Sequence, residues 1–278
     1  MRAVRPWRRG RPKIMKKRSI LLNGMTLVAG LVAVLFIAAS PYEEVDIPRQ
    51  DWSFQGFFGK FDQAQLKRGF TVYKDVCSAC HSMKLASYRN LEQIGFSEDE
   101  VKEIAASVEV TDGPNDAGDM FERPGKPSDR FKSPFANDEA ARAANNGALP
   151  PDLSLIARSR AGKGFAGYEG ADYIHAILTG YVEAPSGFKL GDGMNYNEYF
   201  KGHQIAMPQP LTDGAVDFAD GSPNDLDHEA KDVAAFLTWI GEPNLEARHL
   251  TGLKAVLFLV VFTLLFYAVK RKIWSRIH

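Results

Sequence analysis

Cys77-Ser78-Ala79-Cys80-His81 is the stretch on which the reading of this chain turns. Two thiols three positions apart can reach the two vinyl groups along one edge of a porphyrin. A histidine directly after the second thiol then stands where it can ligate the iron from one face. One covalently bound haem c is the resulting expectation, with Cys77 and Cys80 as thioether residues and His81 as an iron ligand. Other uses of the pattern fit less well. A structural zinc site wants four ligands, and these are the only two cysteines in the chain. A dithiol redox pair has no need of the adjoining histidine.

Working outward, 278 residues with 45% hydrophobic and 11% aromatic content suffice for one substantial core. The first 40 residues contain no acid; basic residues from Arg2 to Arg18 precede an apolar run from Ile20 to Ala39. That order makes a signal sequence or a signal anchor. Ala38 and Ser40 fit the small-residue cleavage rule, whereas Pro41 sits badly in a protease cleft, so both outcomes stay open. Met15-Lys16-Lys17-Arg18 would itself open a normal signal, and a mitochondrial presequence competes, although no Ser or Thr occurs before Ser19. At the other end, Leu253 to Val269 is apolar except for Lys254, and Lys270, Arg271, Lys272 and Arg276 follow. This predicts one membrane span with the C-terminus on the cytoplasmic side and the preceding domain outside.

The formal net charge of zero is unevenly spread. All 34 acids lie between Glu43 and Glu246, and residues 41–253 carry only 20 Lys and Arg, so the exported part stands at minus 14. A basic protein is the natural partner for such a field, and nucleic acid is not. The acids are densest from Glu98 to Glu122, where nine of them face Lys102 alone.

Asp62 can cap a helix whose apolar residues Leu66, Phe70 and Tyr73 share one face and lead into Cys77. Asp227 can cap a second helix, with Val233, Phe236, Leu237 and Ile240 along one face and Gly241 and Pro243 ending it. The two faces are expected to cross, with Gly69 permitting close approach. A shorter helix is expected over Asp172 to Thr179, ending at Gly180. The intervening stretches 111–137 and 184–224 are rich in Gly, Pro, Asn and Asp and read as loops. The fold class is thus mainly α: a c-type cytochrome domain with long loops over residues 41–244, a signal or anchor over 1–40, and a transmembrane anchor over 245–278.

A six-coordinate haem needs a second axial ligand, methionine or histidine. Met83 is too close to His81 and on its side of the ring; Met1, Met15 and Met25 lie in or before the targeting segment. Met120 and Met194 lie in loops without distinctive surroundings. Met207 stands in Ala206-Met207-Pro208-Gln209-Pro210, where prolines limit the conformations available and can hold a thioether against the iron. It is the preferred ligand. His203 is the main rival, and His175 on the short helix could also reach a haem.

Several stretches also carry a resemblance. They are Phe57-Phe58-Gly59-Lys60-Phe61-Asp62, Val76 to His81, Asp112-Gly113-Pro114-Asn115, the run from Arg142 to Ser154 containing Ala148-Leu149-Pro150-Pro151-Asp152-Leu153-Ser154, Leu178-Thr179-Gly180-Tyr181, and Gly252-Leu253-Lys254. From about Asp51 onward the chain resembles the cytochrome c1 family, the haem subunit of the cytochrome bc1 complex (ubiquinol:cytochrome c reductase). The resemblance implies Cys77 and Cys80 as thioether residues, His81 and Met207 as axial ligands, and Asn145, Ala148, Pro150, Pro151, Leu153 and Ile156 as lining of the haem cleft. It further implies Arg160 on a haem propionate, and Tyr173, Ile177 and Phe200 completing the pocket. The implied function is transfer of one electron from a Rieske iron-sulfur protein to cytochrome c beside cytochrome b, with the enzyme activity residing in the assembly. The implied location is the bacterial inner membrane with the domain in the periplasm, the mitochondrial inner membrane being second. An autonomous anchored carrier serving a terminal oxidase or reductase is the alternative; a non-haem protein with a chance C-x-x-C-H is a third reading.

Overall fold

The structure, a computed structural model, describes residues 45–162 and 169–276; the expected signal or anchor over residues 1–40 lies outside them. Helix α1 (Gln63–Asp75) starts where the sequence places it. The Asp62 carboxylate accepts from the N–H groups of Ala64 and Gln65, two donors with no partner inside the helix. A 3-10 turn, Cys77–Ala79, follows at once.

After a second 3-10 segment, Tyr88–Ile94, come α2 (Glu98–Ala106) and an antiparallel pair, β1 (Glu109–Asp112) and β2 (Phe121–Pro124). Then follow α3 (Asp138–Ala144), α4 (Ile156–Arg160), α5 (Gly170–Thr179) and a two-residue pair, β3 (Asn195–Tyr196) with β4 (Gln204–Ile205). Both hairpins lie largely within stretches read from sequence as loops. Strands of four and two residues are too short for alternation to declare itself. Helices α6 (Leu226–Gly241) and α7 (Leu245–Trp274) complete the chain.

Two helix starts differ from expectation. The cap of α6 is Asp225, which accepts from His228 N–H at 3.0 Å, and not Asp227. The Leu226 N–H is already taken by Asp213 from the preceding loop, which sets the start earlier. Asp227 lies in the first turn and instead accepts from Lys231 and pairs with His175, both at 2.8 Å. Helix α5 begins at Gly170 instead of Asp172, because Glu169 and Asp172 form a reciprocal capping pair. Asp172 also accepts from Gln50 N–H and Trp52 Nε1, which fastens the segment before α1 to α5.

The core forms where α1 crosses α6, and α6 also packs against α5. Phe236 of α6 lies 5.8 Å from Phe70 and 5.9 Å from Tyr73, ring centre to ring centre, and Phe131 closes over Tyr73 at 5.9 Å. Gly69 lets the backbones touch: a Cβ there would lie 2.0 Å from the Asp232 carbonyl oxygen. One residue earlier, Arg68 grips the fully buried Asp232 carboxylate with two N–H donors, Nε at 2.6 Å and Nη2 at 3.2 Å, and reaches Asp220 with Nη1. The bidentate geometry compensates a charge that would otherwise be expensive to bury.

Helix α7 runs unbroken for 30 residues, about 45 Å at 1.5 Å per residue. Among the described residues it is the one helix long and apolar enough to cross a membrane, and the side chains of its apolar stretch are exposed. It extends beyond the apolar run at both ends, since charged residues make good helix turns once outside the hydrocarbon. Replacing Gly69 with Ala is expected to force the crossing apart and lower stability by about 1–3 kcal/mol. Thermal unfolding followed by circular dichroism should register a fall in melting temperature of roughly 2–4 °C per kcal/mol.

Candidate haem site

The C-x-x-C-H stretch leaves α1 as a tight turn. Cys80 and His81 both donate backbone N–H bonds to the Cys77 carbonyl, at 3.1 and 2.9 Å, and Ser78 Oγ donates back to the Lys74 carbonyl. Cys77 is half-buried and Cys80 exposed, and neither is in a disulfide. Burial pushes the Cys77 thiol up to about 12. A redox dithiol needs the opposite, a first thiol lowered to a reactive thiolate. Among the described residues, no three His, Cys, Asp or Glu side chains converge as a metal cluster would require.

His81 is oriented by a residue 70 positions away: its Nδ1 lies 2.8 Å from the Pro151 carbonyl oxygen. A carbonyl can only accept, so Nδ1 carries the hydrogen and Nε2 keeps its lone pair. Burial, opposed by the Pro151 carbonyl and Asp152, lowers the imidazole pKa and keeps the ring neutral at physiological pH. A neutral histidine with one nitrogen tied to a carbonyl and the other free is the donor that haem iron takes, so the residues fit the group.

The Pro150-Pro151-Asp152-Leu153-Ser154 strap is stitched to the segment after His81. Leu153 N–H donates to the Ser82 carbonyl at 2.8 Å, and Ser154 Oγ accepts from Leu85 N–H at 3.0 Å. Asp152 Oδ2 takes Ser82 Oγ and Lys84 N–H, both at 2.8 Å, while Oδ1 takes Ser154 N–H at 2.9 Å. Burial works against the Asp152 charge, but these bonds outweigh it and hold the carboxyl below its ordinary value. Sequence reasoning assigned Asp152 no role. Its signal was there, because an Asp two residues before a Ser often closes a local turn through its side chain.

A cavity of about 260 Å³ opens beside Cys80 and is lined by Leu149, Pro150, Pro151 and Asp152 together with residues 133–138 and Ala141. A larger one, about 330 Å³, lies between α1, α2 and Phe131 and contains none of the expected site residues. Chemistry, not size, therefore locates the site. Of the cleft residues implied by resemblance, Asn145 caps α3 at its C-terminal end and donates through Nδ2 to the Ala141 carbonyl at 2.7 Å. Leu153 and Ile177 are buried, while Ala148, Pro150, Ile156, Tyr173 and Phe200 are half-buried and Pro151 is exposed. Arg160 ends α4 in an exposed position. Leu149, Leu155, Val182 and Leu190 add exposed apolar surface from the neighbouring segments.

Met207 follows β4, half-buried, with its carbonyl accepting from Tyr181 Oη at 3.0 Å and from Asn195 Nδ2 at 3.3 Å. Neither donor was legible in sequence, since 26 residues separate Tyr181 from Met207 without a periodic relation. Met83 is fully buried in the core and Met120 is 60% exposed. His203, in the β3–β4 turn, stacks on Tyr196 with ring centres 5.5 Å apart and sets Nδ1 3.3 Å from the Asn197 carbonyl. His175 is buried, and its Nε2 is engaged by Asp227. His228 is half-buried with Nε2 3.4 Å from Asp232.

Residues 52–277 match the family model described as the Cytochrome C1 family. The chain belongs to the cytochrome c1 family. Cytochrome c1 of Rhodospirillum rubrum is 46% identical over 276 residues, covering 93% of this chain and 96% of that protein. A Solanum tuberosum protein named cytochrome c1-1, heme protein, mitochondrial, is 45% identical over 251 residues, 89% of this chain and 76% of that one. Cytochrome b/c1 of Bradyrhizobium diazoefficiens is 47% identical over 246 residues, 83% of this chain, and the chain spans only 36% of that longer protein.

Membership of the cytochrome c1 family makes this the haem subunit of the bc1 complex, and the free-standing carrier is not favoured. Within the cytochrome c1 domain, Asp152 holds the strap that carries the His81 acceptor. Replacing Asp152 with Ala removes the acceptor of three hydrogen bonds and is expected to lower stability by about 1–3 kcal/mol. Amide hydrogen exchange should then rise at Lys84 and Ser154 while the α1–α6 amides stay protected.

Proposed function

We propose that this chain carries one covalently bound haem c, which Cys77 and Cys80 would attach and whose iron His81 and Met207 would ligate. In this reading it takes one electron from a Rieske iron-sulfur protein and passes it to a basic cytochrome c, as the redox subunit of quinol:cytochrome c reductase. The observation that carries it is the His81 Nδ1 bond to the Pro151 carbonyl, which frees Nε2 at the end of the C-x-x-C-H turn. The haem supplies a one-electron ferric/ferrous couple when bound.

No substrate bond is made or broken on this chain; its residues hold, insulate and tune. Pro151 fixes the histidine tautomer and raises its basicity as a donor. The Met207 thioether, a soft donor, would favour the ferrous state and raise the potential. Tyr181 and Asn195 steady the Met207 backbone from two directions. Asn145, Ala148, Pro150, Pro151, Leu153, Ile156, Tyr173, Ile177 and Phe200 would line the cleft and exclude water, and the Arg160 guanidinium would pair with a propionate. Replacing Met207 with Leu should leave the haem attached, lower its potential sharply and open the ferrous iron to carbon monoxide. An unchanged potential would exclude Met207 as a ligand.

Cytochrome b and the Rieske protein are the proposed neighbours in the membrane. The name cytochrome b/c1 on a longer relative supports the first of these. The C-terminal basic cluster at 270–276 favours a cytoplasmic C-terminus, hence a periplasmic domain on a bacterial inner membrane, with the mitochondrial arrangement second.

The acidic segment is proposed to meet the basic acceptor. Part of its charge is engaged internally: Lys102 pairs with Glu98 and Asp99, and Arg123 holds Asp112 and Asp129. Glu103, Asp116 and Asp119 lie exposed beyond those pairs. Electron transfer to a basic cytochrome c should therefore slow as ionic strength rises past about 0.1 M, where the screening length is about 10 Å. Neutralising Glu103, Asp116 and Asp119 together should flatten that dependence, and a salt-independent parent rate would refute docking here.

A further inference from the structure

Two of the most exposed aromatic side chains of the domain are adjacent. Phe57 is 49% and Phe58 79% exposed, and their rings meet edge to face at 5.1 Å. A solvated loop does not ordinarily hold two phenylalanines outward, and this one is held firmly. Gln55 N–H donates to the Trp52 carbonyl, Gly59 N–H to Gly56, and Lys60 N–H to Ser53, at 3.1, 3.3 and 2.9 Å. A Cβ on Gly59 would lie 2.2 Å from the Phe54 carbonyl oxygen, so the turn closes only with glycine there.

The turn is also fastened to the membrane helix. Phe61 N–H donates to Glu246 Oε1 at 2.9 Å in the first turn of α7, and the Phe57 ring lies nearly parallel to that of His249, 7° apart with centres at 6.2 Å. His249 precedes Leu253, where the apolar run opens, by one helical turn, about 6 Å along the axis. The headgroup zone on each side of a bilayer is about 5–7 Å deep. A ring stacked on His249 therefore stands at headgroup depth whenever α7 spans the membrane, and Phe58 projects beside it. Aromatic rings favour that layer, and Lys60, exposed two residues on, suits the phosphates there.

We infer that the Phe57–Phe58 turn is a membrane-contact site: it enters the phospholipid headgroup layer beside α7 and gives the domain a second foothold on the bilayer. With one helix alone the domain could tilt and turn about its tether. A rigid aromatic turn at the helix base restrains that motion and holds the domain at a fixed height. The inference rests on α7 as a membrane span.

The test uses the full chain with haem attached, in its complex, in vesicles of phosphatidylcholine and phosphatidylglycerol. Nitroxide labels are placed at Phe58→Cys, at Asp99→Cys on the exposed flank of α2 and at Leu257→Cys on α7, with the unsubstituted chain as the labelling blank. Relaxation by lipid-soluble oxygen and by a water-soluble nickel chelate is then compared. The expected result is that the label at 58 loses nickel relaxation and gains oxygen relaxation, approaching Leu257→Cys and departing from Asp99→Cys. Nickel access at 58 equal to that at 99 overturns the inference by putting the turn in water. Protection from both reagents overturns it in favour of burial against another subunit. Failure of the span itself is separately visible, as nickel access at 257.

Discussion

Helix α1 can approach α6 closely because residue 69 has no side chain, and nearly every other placement in the domain follows from that contact. The backbones touch at the Asp232 carbonyl, and Arg68, one position away, neutralises the Asp232 carboxylate inside the crossing. Phe70, Tyr73 and Phe236 then fill the angle between the helices. Because Cys77 follows Asp75 by only two residues, the crossing fixes where the cysteines emerge. Helix α5 packs on the flank of α6, with Asp172 at its start holding Trp52, so the segment before α1 is tied into the same frame. Loosening the crossing would move the haem motif itself.

What hangs on this frame is mostly irregular chain, and it is held by polar bonds to backbone atoms. The Pro150–Ser154 strap contributes a carbonyl to His81 and a carboxylate to three donors. The Met207 segment is held through its own carbonyl by Tyr181 and Asn195. Long loops with so few apolar contacts would ordinarily be poorly fixed. Here Pro150, Ile156, Tyr173 and Phe200 are half-buried and have apolar surface left over, suited to a large flat cofactor that would complete the core. The two axial candidates thus come from different loops, each steadied separately.

Charge divides the molecule by location. The domain carries 34 acids against 20 Lys and Arg, while the two ends that bracket it carry basic residues and no acid. Part of the acidity has a structural use: Glu98, Asp99 and Glu100 occupy the first turn of α2, where negative charge complements the helix dipole and Glu100 completes a capping box with Ser97. Only the remainder is available for a long-range field, which is the portion that would matter to a mobile basic partner. At the base of the domain the surface changes character, from carboxylates to the exposed pair Phe57 and Phe58 beside the start of α7.

The amino-acid sequence by itself determined the local chemistry. C-x-x-C-H named the cofactor class, because its meaning lies in residues one to four apart; Asp62, Gly69 and the 3.6-residue periodicity located α1 and its partner; the apolar run and its basic flank located α7. The start of α1 was legible at Asp62, and the ends of α5 and α6 at Gly180 and Gly241. At α6 the cap moved to Asp225 because Asp213, from a loop, had already taken the Leu226 N–H. Tertiary structure alone decided how the two candidate ligands are held. The Pro151 carbonyl that orients His81 and the Tyr181 hydroxyl that steadies Met207 lie 70 and 26 residues from their partners. A backbone carbonyl is present at every position, so no pattern of side chains could mark which one would be used. Only the path of the folded chain brings that one oxygen to that one nitrogen.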